Sequence, residues 1–293
     1  MGFEDTHPAV NFLFFAAVIY GSATFTHPIY LVVAYSCAFA YSVKRNGIKS
    51  VIFNLCLLPA ILIFACYYAS YHHFGVTVLK QNFIGNNMTL ESFVYGAMTG
   101  QRAAIVCMWL SCLFSVVTSD KVVYLFGKVS PMLSLGLTIL LRLIPRIKRE
   151  ARRINLAQKG IGRGASQGNL WQRLVNCLRI FSMLITWMIQ ALALEADSMR
   201  SRGSLLRGRT AFSIYRFDNR DRAFVIALFA CMTLMVMGAI LGATDMRYVP
   251  RILWKAPDAM DMVTASGYAA LCLLPMGLDM WVEFQFRRSR RKI

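Results

Sequence analysis

Apolar and basic residues occupy different stretches of this 293-residue chain, and that segregation constrains its fold more than any other feature. Crossing the hydrocarbon core of a bilayer takes about 20 mostly apolar residues. Six runs approach that length: 10–25, 29–43, 51–70, 103–118 (reaching back to near Ser92 if tilted), 223–243 and 262–286. The chain is 57% hydrophobic, yet it carries 32 Lys+Arg against 14 Asp+Glu, a net charge of +18. Only 16% of its residues are charged, below the ~25% usual for soluble domains. Together these values exclude a soluble globular domain, a disordered chain and a secreted disulfide scaffold. The expected fold is all-α and membrane-embedded, with about six transmembrane helices.

The basic residues set the expected orientation. Of the 32 cations, 25 fall in three patches: Lys44–Lys49, the section from Arg142 to Arg222, and the run that begins at Arg287. Short loops rich in Lys and Arg stay cytoplasmic, which places these patches inside. The segment 71–91 carries only Lys80, and 245–261 balances three cations with three acids, so both are expected outside. Both termini are then cytoplasmic. No basic region precedes the first apolar run, so a cleaved signal peptide is not expected. The chain divides into four N-terminal spans over 1–118, a cytoplasmic section over 119–222, and two C-terminal spans with a basic tail over 223–293.

Parity constrains the middle section. Four spans bring the chain inside before Asp120, so 132–144 and 174–194 do not cross as single spans. They could cross only as a pair, which would put the basic stretch 146–163 outside. Long amphipathic helices are expected instead. In 146–158, Ile147, Ala151 and Ile154 form one side, and Arg146, Lys148, Arg149, Arg152 and Arg153 fill the rest. In 170–190, Leu170, Leu174, Leu178, Phe181, Ile185 and Met188 form a stripe. The opposite side is interrupted by Arg173, Asn176, Arg179, Thr186 and Gln190. Such helices suit a membrane interface, partner helices, or a surface that binds anionic lipid.

Motifs for independent chemistry fail. The nearest approach to a phosphate-binding loop is Gly127-Lys128-Val129, but residue 122 is Val and Val129 replaces the hydroxyl that would hold magnesium. The glycine-rich run Gly160-Ile161-Gly162-Arg163-Gly164 lacks a preceding strand, and reads as a helix end after Gln158 followed by a turn. His72 and His73 have no nearby carboxylate run to complete a metal site. The eight cysteines show no zinc-like spacing and read as small hydrophobes. Asn87-Met88-Thr89 matches a glycosylation sequon, a pattern common by chance. Arg102, near the outer end of the fourth apolar run, reads either as a functional intramembrane cation or as one that snorkels to headgroups. No catalytic residue, metal site or cofactor is expected.

Two stretches of the basic section are more specific than composition. The first is Arg142-Leu143-Ile144-Pro145, then Glu150-Ala151, then Ala157-Gln158-Lys159-Gly160-Ile161-Gly162. The second runs from Glu195 through Met199-Arg200-Ser201-Arg202-Gly203, with Arg209-Thr210 downstream. Together they resemble the transmembrane T component (EcfT/CbiQ type) of energy-coupling factor (ECF) transporters. The resemblance extends to His7-Pro8 before the first span and to the order of spans and basic helices.

The resemblance implies a non-catalytic coupling subunit of an ABC-type importer for vitamins or transition metals such as cobalt. In that family two Ala-Arg-Gly triplets end the coupling helices and dock on two ABC ATPases. By match, Ser201-Arg202-Gly203 is the second triplet. The first reads Gly160-Ile161-Gly162, with Ile in place of Arg; Arg163 lies two residues on and could substitute. Ala157 and Gln158 belong to the first docking segment, with Arg142, Pro145, Arg209 and Thr210 as support. The implied partners are two ATPase subunits, a small membrane substrate-binding (S) component and anionic lipid, with no nucleic acid. The implied location is the bacterial cytoplasmic membrane. Two other classes remain open from the residues: a polytopic membrane enzyme using His72, His73 and Glu91, or a membrane-anchored binder of lipid or nucleic acid.

Overall fold

Two Thr-His-Pro triplets begin the first two helices. The computed structural model describes residues 2–72, 74–81, 87–203, 215–248, 251–252 and 258–290. Helix α1 spans Pro8–Thr24 and α2 Pro28–Asn46, each with proline in its first turn, where no helical hydrogen bond is lost. The preceding histidine caps each: Nδ1 of His7 accepts from the Ala9 N–H at 3.2 Å, and Nδ1 of His27 from the Ile29 N–H at 3.3 Å. Thr26-His27-Pro28 is thus the tight turn expected between the first two helices.

Next come α3 (Ile48–Tyr71), the antiparallel strands β1 (Val78–Gln81) and β2 (Asn87–Thr89), and α4 (Leu90–Val116). The segment 71–91, read from sequence only as an external loop, holds this ribbon, a small departure from the all-helical expectation. The order continues with α5 (Ser119–Val129), α6 (Pro131–Gly160), α7 (Leu170–Ser201), α8 (Asn219–Ile240) and α9 (Ala259–Arg290). Five of these, α3, α4, α7, α8 and α9, are long and apolar enough to cross a membrane. Helix α1 is shorter, at 17 residues, and α2 ends in Lys44, Arg45 and Asn46.

The chain forms two compact units, Met1–Thr118 with Tyr215–Ile293, and Ser119–Ile214. In the first, α1–α4, α8 and α9 run alternately between two ends. At the end that holds the N-terminus, the Phe3 N–H donates to Asp279 Oδ1 at 2.7 Å and the His7 N–H to Asp221 Oδ1 at 3.3 Å. Arg45, at the end of α2, grips Glu4 with both terminal nitrogens, at 2.6 and 2.8 Å, and donates to the Ser115 carbonyl at 3.2 Å. At the opposite end the N–H groups of Thr26 and His27 both donate to the Thr244 carbonyl. The Tyr248 hydroxyl donates to the Thr26 carbonyl at 2.7 Å, and burial pushes that phenol upward.

The interior between these ends is aromatic. Phe3, Phe14, Phe15, Trp109 and Phe224 pack with ring centroids 5.2–6.3 Å apart, and Tyr41 stacks on Trp109 at 5.7 Å. In a bilayer such packing, rather than escape from water, holds helices together, and small residues permit it. Gly96 and Gly100 on α4 let α3 approach: a Cβ at Gly96 would stand 2.9 Å from the Tyr68 Cβ and 3.2 Å from the Ala65 Cα. Arg102 lies at the middle of α4, because that helix starts at Leu90, a full three turns before the most apolar stretch.

The second unit contains α5, α6 and α7. Most of the stripe read from sequence on α7 does not form its packed side: Leu170, Leu174, Leu178, Phe181 and Ile185 are exposed, and of the six only Met188 is half-buried. Asn176 and Ala191 are buried, and Ile180, Met183, Leu184 and Trp187 are half-buried. Helix α7 thus carries apolar residues outside the stripe as well, and these four are among the half-buried ones.

Candidate functional site

The residues singled out by the sequence cluster at the C-terminal ends of α6 and α7. At both ends a glycine with positive φ follows the cap residue. Helix α6 ends at Gly160, Ile161 occupies the cap, and Gly162 follows with φ +74°. The Gly162 N–H donates back to the Lys159 carbonyl at 3.2 Å, and the Arg163 N–H to the Gln158 carbonyl at 2.9 Å. These two bonds are the glycine-terminated stop known as a Schellman motif. Helix α7 ends at Ser201, Arg202 occupies the cap, and Gly203 follows, also with φ +74°. The Gly203 N–H donates to the Arg200 carbonyl at 3.0 Å.

Only glycine takes this left-handed conformation without a steric cost. Each triplet therefore stops its helix abruptly and presents the residue before the glycine outward. Ile161 and Arg202 hold equivalent positions, and both side chains are exposed. Ala157, Gly160, Gly162, Arg163 and Ser201 are exposed as well, while Gln158 and Gly203 are half-buried. Arg163 is one residue beyond the glycine, so its side chain leaves from a different point than that of Arg202.

The loop after α6 is held against the helices by polar side chains, of which the sequence reading named only Gln158 and Asn176, neither in this role. Asn155 accepts the Ala165 N–H at 3.0 Å, and Gln167 accepts the Gly164 N–H at 2.9 Å. Asn176, buried on α7, donates to the Gly164 carbonyl at 3.2 Å. The Gln158 amide reaches the Met183 sulfur at 3.6 Å. Asn169 and Gln172 form a reciprocal capping box at the start of α7. The Asn-x-x-Gln spacing of that box, four residues before Asn176, was the available signal.

Arg142 and Pro145 lie one turn apart inside α6, both exposed. Pro145 has no N–H to give the Leu141 carbonyl, yet the helix continues through it. Arg146 follows, its Nη1 3.8 Å from the Glu195 carboxylate on α7. Ile147, Ala151 and Ile154 are half-buried and Arg146, Lys148, Arg149, Arg152 and Arg153 exposed, as the spacing in 146–158 predicts. Arg209 and Thr210 lie outside the described residues.

The other candidates from sequence do not converge. Glu91 is engaged by the ribbon: its carboxylate accepts the Thr77 N–H at 3.3 Å and the Thr77 hydroxyl at 2.7 Å. His72 packs on Tyr68, with ring centroids 4.2 Å apart, and His73 lies outside the described residues. Arg102 reaches back one turn to the Thr99 hydroxyl at 3.3 Å, and its Nε is buried without a hydrogen-bond partner. Among the described residues no group of three or more His, Cys, Asp or Glu side chains could hold a metal.

Five helices long and apolar enough to cross a membrane, and two basic helices that end in exposed, glycine-stopped triplets, define a multi-pass membrane protein with two exposed helix ends. No family model matches the chain. The chain is similar to the energy-coupling factor transporter transmembrane protein EcfT of Bacillus selenitireducens, 34% identical over 106 residues. That stretch covers 36% of this chain and 39% of the relative, so the chain matches well under two thirds of that protein's length.

Proposed function

We propose that this chain is the T component of an ECF-type importer in the bacterial cytoplasmic membrane, with both termini cytoplasmic. It acts without chemistry of its own, passing motions of two ABC ATPase subunits to a separate S component that binds the substrate. The substrate class is a vitamin or a transition metal. The observation that carries this reading is the matched geometry of the two triplets. Gly162 and Gly203 share one backbone conformation, and each leaves one side chain projecting from an exposed helix end. Similarity to the EcfT relative supports it independently.

On this reading Arg202 offers a planar fork of donors to carboxylates or carbonyls on one ATPase. Ile161 offers an apolar contact at the equivalent place, with Arg163 beside it. Ala157, Gln158 and Gly160 contribute the helical surface that leads to it, and Arg142, Pro145, Arg209 and Thr210 support the helices. The exposed apolar stripe of α7, from Leu170 to Ile185, suits a membrane partner of the S-component kind, and the surrounding cations suit anionic lipid. The test is affinity purification of the tagged full chain from its native membrane. Recovery of two ABC ATPases and a small membrane protein is the expected result; recovery of neither overturns the proposal.

A further inference from the structure

Helix α6 changes character at Pro145. From Pro131 to Pro145 it carries one cation, Arg142, among leucines and isoleucines; from Arg146 to Arg153 it carries five cations and one acid. At that change lies a groove of about 630 Å³ on the second unit. Arg146, Arg149, Arg152 and Arg153 line it, against the single carboxylate of Glu150. Trp187 of α7 forms one wall, with its ring centroid 5.3 Å from the Arg146 guanidinium carbon, and Leu156 closes another side.

Two of the four guanidiniums already have acidic neighbours. Arg146 lies 3.8 Å from Glu195 and Arg153 lies 3.9 Å from Glu150. Among the described residues, no carboxylate stands within ion-pair range of Arg149 or Arg152. The groove therefore holds surplus positive charge, with planar donors suited to phosphate oxygens. Its apolar lining is Leu156 on α6 and Trp187 on α7. A boundary between an apolar and a basic helix segment, marked by an indole, is the pattern of a bilayer–water interface.

We propose that this groove is a binding site for the headgroup of an anionic phospholipid. Arg149 and Arg152 hold the phosphodiester, Trp187 and Leu156 pack on the glycerol region, and the acyl chains run toward the apolar half of α6. The charge fits a phosphate, and the apolar half of α6 that ends at Pro145, with the indole of Trp187, distinguishes a lipid from a free anion or a nucleic acid. Basic pockets between helices on the cytoplasmic side are suited to such headgroups. The inference rests on membrane residence alone and not on ATPase coupling, so ATPase recovery and lipid retention fail independently.

The test is native mass spectrometry of the full chain released from detergent micelles carrying equal cardiolipin and phosphatidylethanolamine. Wild type retains cardiolipin in excess. The double substitution Arg149→Ala with Arg152→Ala lowers that retention at least about fivefold, while Arg287→Ala with Arg288→Ala at the end of α9 leaves it unchanged. Arg149→Lys with Arg152→Lys, which keeps the charge and loses the fork, falls between. Circular dichroism of each variant shows the wild-type helical content. Equal retention by wild type and the alanine pair overturns the site, and so does an equal loss in the α9 control, which would make net charge the cause. Displacement of cardiolipin by inorganic phosphate, or by a DNA duplex at the same charge concentration, would overturn the lipid assignment.

Discussion

Gly162 and Gly203 stand one residue past the caps of α6 and α7 with the same φ of +74°, so Ile161 and Arg202 occupy equivalent positions at two helix ends. A β-carbon in this conformation meets the neighbouring carbonyl oxygen, at a cost of about 1–2 kcal/mol. Gly162→Ala and Gly203→Ala are each expected to fray their helix end and to lower the recovery of co-purified ATPase. Gly203→Asn, which tolerates the left-handed region better, should lose less. Amide hydrogen exchange over 155–165 and 196–203 checks the fraying directly.

The unequal side chains at these two positions make a gain-of-function experiment available. Ile161→Arg restores to the first end the residue present at the second, and a new charge-assisted contact should tighten ATPase association by about tenfold. Arg202→Glu should weaken it by at least as much, through repulsion where attraction stood. Both changes sit on exposed caps, so thermal stability should stay at the wild-type value. Titration of the purified ATPase against each variant in nanodiscs measures the affinities.

Two glycines predict opposite changes in stability. Gly96→Ala places a methyl 2.9 Å from the Tyr68 Cβ and 3.2 Å from the Ala65 backbone, where α3 cannot yield easily. Such overpacking costs about 1–3 kcal/mol. Gly136→Ala, inside α6 with open space around it, should instead stabilise by about 0.5–1 kcal/mol through reduced freedom of the unfolded chain. Thermal midpoints in one detergent, compared with wild type, should move down for the first and up for the second.

Arg45 and Glu4 form a two-pronged ion pair that ties the N-terminus to α2, but the Glu4 side chain is 46% exposed. Water and salt screen such a pair, so Glu4→Gln should cost less than about 1 kcal/mol, and less still at high ionic strength. Arg45→Met should cost more, because the carbonyl and hydroxyl of Ser115 lose their donor too. Denaturation of the two variants at low and high salt separates the ionic part from the rest.

Much of the first unit was legible in the chain because membrane residence imposes one rule on each span: a long apolar run satisfies its backbone internally as a helix. The six runs read from the sequence became α1–α4, α8 and α9, and Thr26-His27-Pro28 became the turn between the first two. The glycines that end α6 and α7 were legible as helix stops. The packed side of α7 was not. Leu170, Leu174 and Leu178 stayed exposed, while Asn176 was drawn inward by the loop it holds. With apolar residues outside the stripe as well, periodicity does not say which face of the helix a neighbour covers.

Arg102 shows the same division at a single residue. Hydropathy put it near the outer end of a span, but the helix begins at Leu90, and Arg102 is at its middle with Nε buried. The amino-acid sequence by itself determined that the chain is helical and membrane-embedded, where its cations gather, and where glycine must stop α6 and α7. Those properties depend on neighbours close in the chain, on hydropathy and on backbone sterics. Tertiary structure alone decided that Asn176 of α7 secures the loop after α6, and that four arginines of α6 meet Trp187 of α7 in one groove. Those depend on side chains brought together from different helices, which local chemistry permits but does not select.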